Sequence, residues 1–219
     1  NPYLETDSKT LTVESDWSSA SYFYSIIALS PLGTQVRLST YKKDSLQGDA
    51  VLKDIYKQMG VETTFDGSKI ILKKINNTLP GSIDIDLANA PDIAQTIVVT
   101  CLGLQVQCRL TGLHTLKIKE TDRLEALKSE IYKFGTDLNI TNDSLSLLNP
   151  KPLESAAIVE TYNDHRMAMA FAPLALFQEG STLSGFFKYL SYKSAKNEVC
   201  AAFKKEYGSI YNLEYGSFV

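Results

Sequence analysis

Residues that commonly build disulfides and metal centres are scarce in this chain of 219 residues. Its only cysteines, Cys101, Cys108 and Cys200, are odd in number and show no CxxC spacing, so neither a disulfide framework nor a zinc site is indicated. With only two histidines, His114 and His165, a histidine-rich metal centre is not expected either. We therefore expect no metal and no other cofactor, and we expect the cysteines to fill core space.

Strong charge and long apolar runs are also missing. The net charge is -3 without a basic run, which argues against nucleic-acid binding because neutralising phosphates requires clustered Lys and Arg. The longest apolar run, Met167 to Phe177, is too short to cross a bilayer, and Asn1 to Val13 lack the residue order of a signal peptide. We expect a globular, cytoplasmic protein without membrane association, in which basic residues act locally on a small anion.

What the sequence does contain is internal repetition. Asp16 opens DWSSASYFYSIIAL, Asp92 opens DIAQTIVVTCLGL and Asp164 opens DHRMAMAFAPLALF, at nearly equal intervals along the chain. The tripeptide IYK at 55–57 recurs at 131–133, at the same interval as that between Asp16 and Asp92. Two markers in the same register favour duplication. They predict a single domain, 1–219, with repeats at about 10–80, 81–150 and 151–219.

Each repeat resembles a βαβαββ unit, which predicts an α/β (α+β) fold with helices buried under sheets. In each unit, a β-prone run leads to an acidic cap and a helix that is apolar on nearly all sides and must be buried. In the first two units another strand, an amphipathic helix and a hairpin follow, and Gly60 and Gly135 stand where glycine would end the amphipathic helices. In the third unit the pattern is faint after Gly180 and no final hairpin is evident. Pro173 is expected to interrupt the third buried helix. The predicted strands include Thr10 to Val13, Gln35 to Leu38, Lys69 to Ile75, Ile83 to Leu87, Gln105 to Leu110, Ser144 to Leu148 and Ile158 to Tyr162.

The segment KETDRL at 119–124 is the first candidate for chemistry. The alternating LKIK at 116–119 predicts a strand that turns into the amphipathic helix, with Thr121 as its cap. The reactive side chains at this junction are Lys119, Glu120 and Arg123. A helix N-terminus flanked by Lys and Arg is a natural anion site. A surface cluster of mutually paired charges is an equally acceptable interpretation.

The segment DHRMAM at 164–169 is the second candidate. Asp164 is expected to be a cap, followed by His165 and Arg166 at the start of an otherwise apolar helix. Arg166 needs a partner there, either a buried carboxylate or a bound anion, and we favour the anion. His165 is more readily explained as a capping or core histidine than as a catalyst. Asp16 and Asp92 head the other two buried helices, where each is expected to be a cap.

Four segments together resemble a known family. DWSSASY, PDIAQT, KETDRL and YNDHRMAM, in this order and at these intervals, are similar to the C-terminal domain of the 5-enolpyruvylshikimate-3-phosphate synthase family, over about Leu11 to Gly180. The resemblance implies two domains of three βαβαββ units around a cleft, with this chain supplying one and a separate N-terminal domain as its partner. It implies transfer of the enolpyruvyl group of phosphoenolpyruvate to the 5-hydroxyl of shikimate 3-phosphate, in chorismate and aromatic amino-acid biosynthesis. The isolated domain is then expected to be inactive.

The resemblance also implies a role for each matching residue. Asp92 would accept the hydroxyl proton, Lys119 would contact shikimate 3-phosphate and assist proton transfer, and Glu120 would protonate the methylene carbon. The residues implied to hold phosphoenolpyruvate are Arg123, Arg166 and, beside them, His165.

Two positions depart from the family pattern. Thr115 stands where some members carry an asparagine that contacts shikimate 3-phosphate. Lys193 is the candidate for a phosphoenolpyruvate-binding lysine, although the aromatic residue and proline that follow it in the family are replaced here. Two alternatives remain open at this point. One is UDP-N-acetylglucosamine enolpyruvyl transferase, although the combination of KETDRL and DHRMAM argues against it. The other is a non-catalytic anion-binding module.

Overall fold

The computed structural model describes residues 13–153, 157 and 159–177. The α-helices are α1 (Trp17–Leu29), α2 (Leu52–Lys57), α3 (Ala94–Leu104), α4 (Arg123–Tyr132) and α5 (His165–Phe171). The strands are β1 (Gln35–Ser39), β2 (Val61–Asp66), β3 (Lys69–Lys74), β4 (Ser82–Asp86), β5 (Gln107–Thr111), β6 (Leu138–Ile140) and β7 (Leu145–Leu147). Short 3-10 helices cover Gly48–Val51, Pro91–Ile93, His114–Ile118 and Ala172–Phe177. Within these ranges, no helix combines the length and apolar character needed to span a bilayer.

The strands form two sheets. In the first, β3 lies between β1 and β2 and is antiparallel to both. The second has the order β4-β5-β7-β6, in which only β4 and β5 are parallel. The predicted strands beginning at Gln35, Lys69, Ile83, Gln105 and Ser144 correspond to β1, β3, β4, β5 and β7 to within about two residues at each end.

Helices α1, α3 and α5 pack side by side in one core. α3 contacts both other helices, and α1 also contacts α5. Every residue of α1 except Ile26 and every residue of α3 except Leu104 is buried. The prediction of three enclosed helices beginning near Asp16, Asp92 and Asp164 is therefore confirmed.

Hydroxyl groups inside this core pair with one another. The Ser21 and Thr96 hydroxyls lie 3.0 Å apart. The Thr100 hydroxyl lies 2.7 Å from that of Ser25 and 2.9 Å from that of Tyr56 in α2. Because a buried hydroxyl without a partner costs about 1–3 kcal/mol, these bonds explain how Ser21 and Ser25 of α1 can be buried.

Helices α2 and α4 are amphipathic, as predicted. Gly60 and Gly135 follow them with φ of 80° and 73°, in the left-handed region that favours glycine. A Cβ on Gly60 would lie 2.2 Å from the carbonyl oxygen of Asn76, so no other residue fits that turn without a shift of the backbone. The buried faces consist of Leu52, Ile55 and Tyr56 in α2, followed by Met59, and of Leu124, Leu127 and Ile131 in α4.

The predicted helix caps are partly right. The carboxylates of Asp16 and Asp164 accept hydrogen bonds from the backbone N–H groups of Ser18 and Arg166, each at 2.9 Å, so both caps are confirmed. The cap of α4 is Asp122 rather than Thr121, because its carboxylate can reach two backbone N–H groups of the first turn. Asp92 is not a cap, since it lies within the turn Pro91–Ile93 and its carboxylate faces cations instead.

The strand predicted over LKIK at 116–119 is wrong. The chain forms the 3-10 helix His114–Ile118 there. Leu116 is buried but Ile118 is 82% exposed, so the alternation does not line a buried face of a sheet.

Predictions toward the chain ends have mixed outcomes. As predicted, the third buried helix is interrupted near Pro173, because α5 ends at Phe171 and a 3-10 helix follows. In place of the strand predicted over Ile158 to Tyr162, the structure has only an isolated bridge at Val159, and Ile158 lies outside the described residues. Residues 10–12 of the first predicted strand also lie outside them.

Replacing Lys74 by Met is expected to lower the free energy of unfolding by about 1–3 kcal/mol, because buried acceptors would lose their donor. The Lys74 ammonium is buried and donates to the carbonyl oxygens of Ala28 and Met59, each at 2.8 Å, at the C-terminal ends of α1 and α2. The matched control is Lys73→Met on the exposed face of β3. Equal urea midpoints for the two variants would contradict this role.

Candidate active site

Three chain segments meet at one end of the buried helices. They are the turn Pro91–Ile93 before α3, residues 119–123 at the start of α4 and residues 164–166 at the start of α5. Within the described residues, their contacts bring together Asp92, Lys119, Glu120, Arg123, Asp164 and Arg166. We call these six residues the ion cluster. Most of the residues singled out from KETDRL and DHRMAM, two segments that are distant in sequence, thus share one site.

Arg123 lies at the centre of the ion cluster and is 1% exposed. Its Nε donates to Asp164 Oδ2 at 2.7 Å, one terminal nitrogen donates to Asp92 Oδ1 at 3.0 Å, and the other donates to Glu120 Oε2 at 2.6 Å. Asp164 is fully buried as well, so the ion pair of Arg123 and Asp164 is stable in the interior only because each charge neutralises the other. Arg123 therefore holds three acids in fixed positions.

Asp92 is surrounded by cations. Its carboxylate lies 3.3 Å from Lys119 Nζ, 3.0 Å from Arg123 and 3.6 Å from Arg166. Burial raises the pKa of Asp92, but the charges of Arg166, Lys119 and Arg123 outweigh it and hold the pKa below its usual value. Asp92 is consequently ionised at neutral pH.

Arg166 is half-buried where α5 meets α1. Burial lowers the pKa of its guanidinium, but Tyr22 and the carboxylates of Asp92, Asp16 and Asp49 outweigh it, and the pKa remains above its usual value. Burial raises the pKa of Tyr22 to about 12, although Arg166 lowers it, so this phenol stays protonated at neutral pH. Arg166 thus carries a permanent charge at the opening of an otherwise apolar helix.

Asp49 is a carboxyl group that the sequence analysis missed. It lies in the 3-10 helix Gly48–Val51 and accepts a hydrogen bond from the Ser18 hydroxyl. Burial raises the pKa of Asp49, and the charge of Asp92 acts in the same direction, whereas Ser18 and Arg166 lower it. No local pattern marks Asp49, because the contact joins two segments that are distant in sequence.

Gln47 attaches that segment to α1. Its side-chain oxygen accepts from the Trp17 backbone N–H, and its nitrogen donates to the Ser15 carbonyl, both at 2.9 Å. Gly48 then packs so closely against Asn89 that a Cβ would lie 2.0 Å from the Asn89 carbonyl oxygen. The approach of Asp49 to the ion cluster is therefore fixed by backbone contacts.

The remaining sequence-predicted residues are not brought into the ion cluster. Thr115 lies in the 3-10 helix His114–Ile118, and its buried hydroxyl has no hydrogen-bond partner among the described residues. His165 follows the cap of α5 with its side chain exposed. Lys193 lies outside the described residues.

The ion cluster combines three cations with three carboxylates. Lys119 and Glu120 are its more exposed members, with side chains 32% and 49% exposed, so these two groups are accessible at the surface. Such an arrangement can bind an anion through its cations and can exchange protons through its acids. Among residues 13–153 and 159–177, no group of three or more histidine, cysteine or acidic side chains is arranged to hold a metal ion.

Comparisons with known proteins agree on one family. The family model for EPSP synthase (3-phosphoshikimate 1-carboxyvinyltransferase) matches residues 2–185. The 3-phosphoshikimate 1-carboxyvinyltransferase of Bacteroides fragilis strain YCH46 is 48% identical over 167 residues, covering 75% of this chain and 40% of the relative. That of Shewanella pealeana is 37% identical over 172 residues, covering 78% of this chain and 39% of the relative.

A solved structure has a similar fold. The EPSP synthase from Acinetobacter baumannii aligns with a TM-score of 0.58 at 26% identity, over 75% of this chain and 40% of that chain. The chain thus spans about two fifths of the length of the relatives it matches. Because the family model matches most of the chain, residues 2–185, including every residue of the ion cluster, the chain belongs to the EPSP synthase family.

Proposed function

We propose that this chain is the C-terminal domain of a 3-phosphoshikimate 1-carboxyvinyltransferase. That enzyme would transfer the enolpyruvyl group of phosphoenolpyruvate to the 5-hydroxyl of shikimate 3-phosphate, in cytoplasmic chorismate and aromatic amino-acid biosynthesis. The observation that carries the proposal is the ion cluster, which joins three cations to three acids in a chain of this family. An N-terminal domain would supply the rest of the site and close it.

The acids of the ion cluster account for the protons in this reaction. A bond forms between the hydroxyl oxygen and the carbon that bears the phosphate, and the hydroxyl proton goes to Asp92. The methylene carbon gains a proton from Glu120 and later returns a proton to Glu120 as the C–O bond to phosphate breaks and inorganic phosphate leaves. Lys119, 3.3 Å from Asp92, would contact shikimate 3-phosphate and assist proton transfer.

The cations of the ion cluster would bind phosphoenolpyruvate. Arg166 would exchange its long contact of 3.6 Å with Asp92 for the phosphate or carboxylate of the donor, which frees Asp92 to face the hydroxyl. Arg123, fully enclosed, would keep Asp164 and Glu120 in place while it attracts the same anion. His165 lies exposed beside Arg166 and would complete the donor site.

Thr115 and Lys193 complete the proposed substrate contacts. The Thr115 hydroxyl, which lacks a partner among the described residues, would contact shikimate 3-phosphate. Lys193 would add a further cation for phosphoenolpyruvate.

We also propose that the domain, residues 1–219, is built from three βαβαββ units. The order β4-α3-β5-α4-β6-β7 between Ser82 and Leu147 supports this pattern. The order α1-β1-α2-β2-β3 between Trp17 and Lys74 supports it as well.

Replacing Arg166 by Ala is expected to weaken the binding of phosphoenolpyruvate about ten- to a hundredfold, because a charge-assisted contact of about 1.5–3 kcal/mol is lost. Titration calorimetry with the assembled enzyme measures the dissociation constant of phosphoenolpyruvate. The matched control is Arg109→Ala, since Arg109 is 60% exposed and pairs only with Asp84 among the described residues. Donor affinity that is equal in the two variants would contradict the proposed function.

A further inference from the structure

Glu130 is a buried carboxylate outside the ion cluster. It lies in α4 and is fully enclosed. Its Oε2 accepts from Lys133 Nζ at 2.7 Å and from the backbone N–H of Glu160 at 2.9 Å, and its Oε1 accepts from the Tyr162 hydroxyl at 2.8 Å. Two of these three donors belong to the segment that leads into α5.

Glu130 and Arg123 lie on the same face of α4, because they are seven residues apart and the helix has 3.6 residues per turn. Arg123 binds Asp164, and Glu130 binds the backbone of Glu160 and the side chain of Tyr162. Helix α4 therefore holds residues 160–164 at two points.

The segment between these two points has an unfavourable backbone. Tyr162 and Asn163 have φ of 55° and 56°, a region that residues other than glycine rarely adopt, least of all two in succession. The backbone N–H of Asp164 donates to the Thr161 carbonyl at 2.8 Å and closes the turn. A turn of this kind persists only where the surrounding contacts impose it.

Asp164 directly follows this turn and links it to the ion cluster. One of its carboxylate oxygens caps the backbone N–H of Arg166 at 2.9 Å, and the other accepts from Arg123 Nε at 2.7 Å. A small rotation of the turn would move the cap, and with it the start of α5 and the direction of Arg166. The geometry of the ion cluster thus depends on residues 161–163.

We propose that Glu130 and Tyr162 form a clamp that fixes this turn and thereby positions Asp164, Arg123 and Arg166 for an anion. Both are positioning residues, since neither touches the proposed substrates. Burial and the hydrogen bond to Glu130 raise the pKa of Tyr162 to about 12, so its hydroxyl remains a donor at neutral pH. The inference rests on the proposed function only in assigning the anion to Arg166.

The first test measures the turn itself in the full chain. With Tyr162→Phe, the backbone amides of Asp164 and Arg166 are expected to exchange with deuterium about fivefold faster, because one hydrogen bond that holds the turn is lost. The control variant is Tyr132→Phe, which removes the hydroxyl of a tyrosine in α4 that is 68% exposed. The amide of Val98 in α3 serves as the internal reference. Unchanged exchange at Asp164 and Arg166 would overturn the clamp.

The second test measures binding, with inorganic phosphate as the probe. Tyr162→Phe is expected to weaken phosphate binding about fivefold, whereas Tyr132→Phe should not. In an Arg166→Ala background, the effect of Tyr162→Phe on phosphate binding should be much smaller, because the clamp acts on the anion chiefly through the position of Arg166. A loss of equal size in both backgrounds would indicate a general structural effect and overturn the positioning role.

Glu130→Gln extends the test, with the exposed Glu125→Gln on the same helix as its control. An amide cannot accept from Lys133, Glu160 and Tyr162 together, so faster exchange at the amides of Asp164 and Arg166 is expected here too. Unchanged exchange in Glu130→Gln would count against the clamp. The exchange measurements decide the clamp whether or not the chain alone binds phosphate, whereas the proposed function fails only if the chain assembled with its N-terminal domain binds none.

Discussion

Phosphate release from phosphoenolpyruvate and shikimate 3-phosphate is expected to rise at least about a thousandfold when this chain is mixed with a matching N-terminal domain. The domain could come from the relative of Bacteroides fragilis, which is 48% identical over the matched region. The chain alone leaves Lys119 and Glu120 at the surface, where water screens their charges. Closure by a second domain would exclude that water and align the two substrates.

The mixture needs two controls. The N-terminal domain alone must release no phosphate. Circular dichroism and gel filtration must show that both pieces are folded and associated. Rapid turnover by the 219-residue chain alone would contradict a site shared between two domains. The absence of phosphate release by a folded, associated mixture would count against the proposed reaction.

Features that depend on neighbouring residues could be predicted from the sequence. Asp16 and Asp164 cap their helices because a carboxylate before an apolar helix reaches the free N–H groups of the first turn. The same reasoning missed the cap of α4 by one residue, since Thr121 and Asp122 are both acceptable caps and only geometry decides between them. Local chemistry thus gave the positions of the helices more reliably than their first residues.

Alternation of apolar and polar residues was a weaker guide. In β3 it reflects a real sheet, with Ile70, Leu72 and Lys74 on the buried side. At 116–119 the same pattern belongs to a 3-10 helix, and Ile118 there is largely exposed. Over four residues, period two does not distinguish a strand from a tight turn.

Long-range contacts of charged residues could not be predicted. From the sequence, an anion site and a surface cluster of paired charges were equally acceptable for Arg123, and in the structure it is buried and paired with Asp92, Glu120 and Asp164. Glu130, in a helix expected to keep one face in solvent, is fully buried and bonded to a segment distant in sequence. In each case burial of the charge depends on partners that no sequence pattern identifies.

Replacing Asp92 by Asn in the assembled enzyme is expected to lower kcat by about a hundred- to ten-thousandfold, because an amide cannot accept the hydroxyl proton. The KM for phosphoenolpyruvate should not rise. The Asp92→Asn variant would leave the three cations of the ion cluster with two of its three carboxylates, Glu120 and Asp164, so the attraction for the donor anion would be kept or strengthened. A large fall in kcat without a rise in KM is the signature of a group that acts on the proton rather than on donor binding.

The matched control is Asp84→Asn in β4, because Asp84 is 65% exposed and pairs with Arg109 outside the ion cluster. Steady-state phosphate release at varied phosphoenolpyruvate concentration measures both constants. Arg166→Ala should give the opposite pattern, with a raised KM, since Arg166 is proposed to bind the donor. If Asp92→Asn raised KM and left kcat unchanged, Asp92 would be a binding residue, and the proton would need another acceptor. Asp49 would be the next candidate, because its carboxyl group interacts electrostatically with both Asp92 and Arg166.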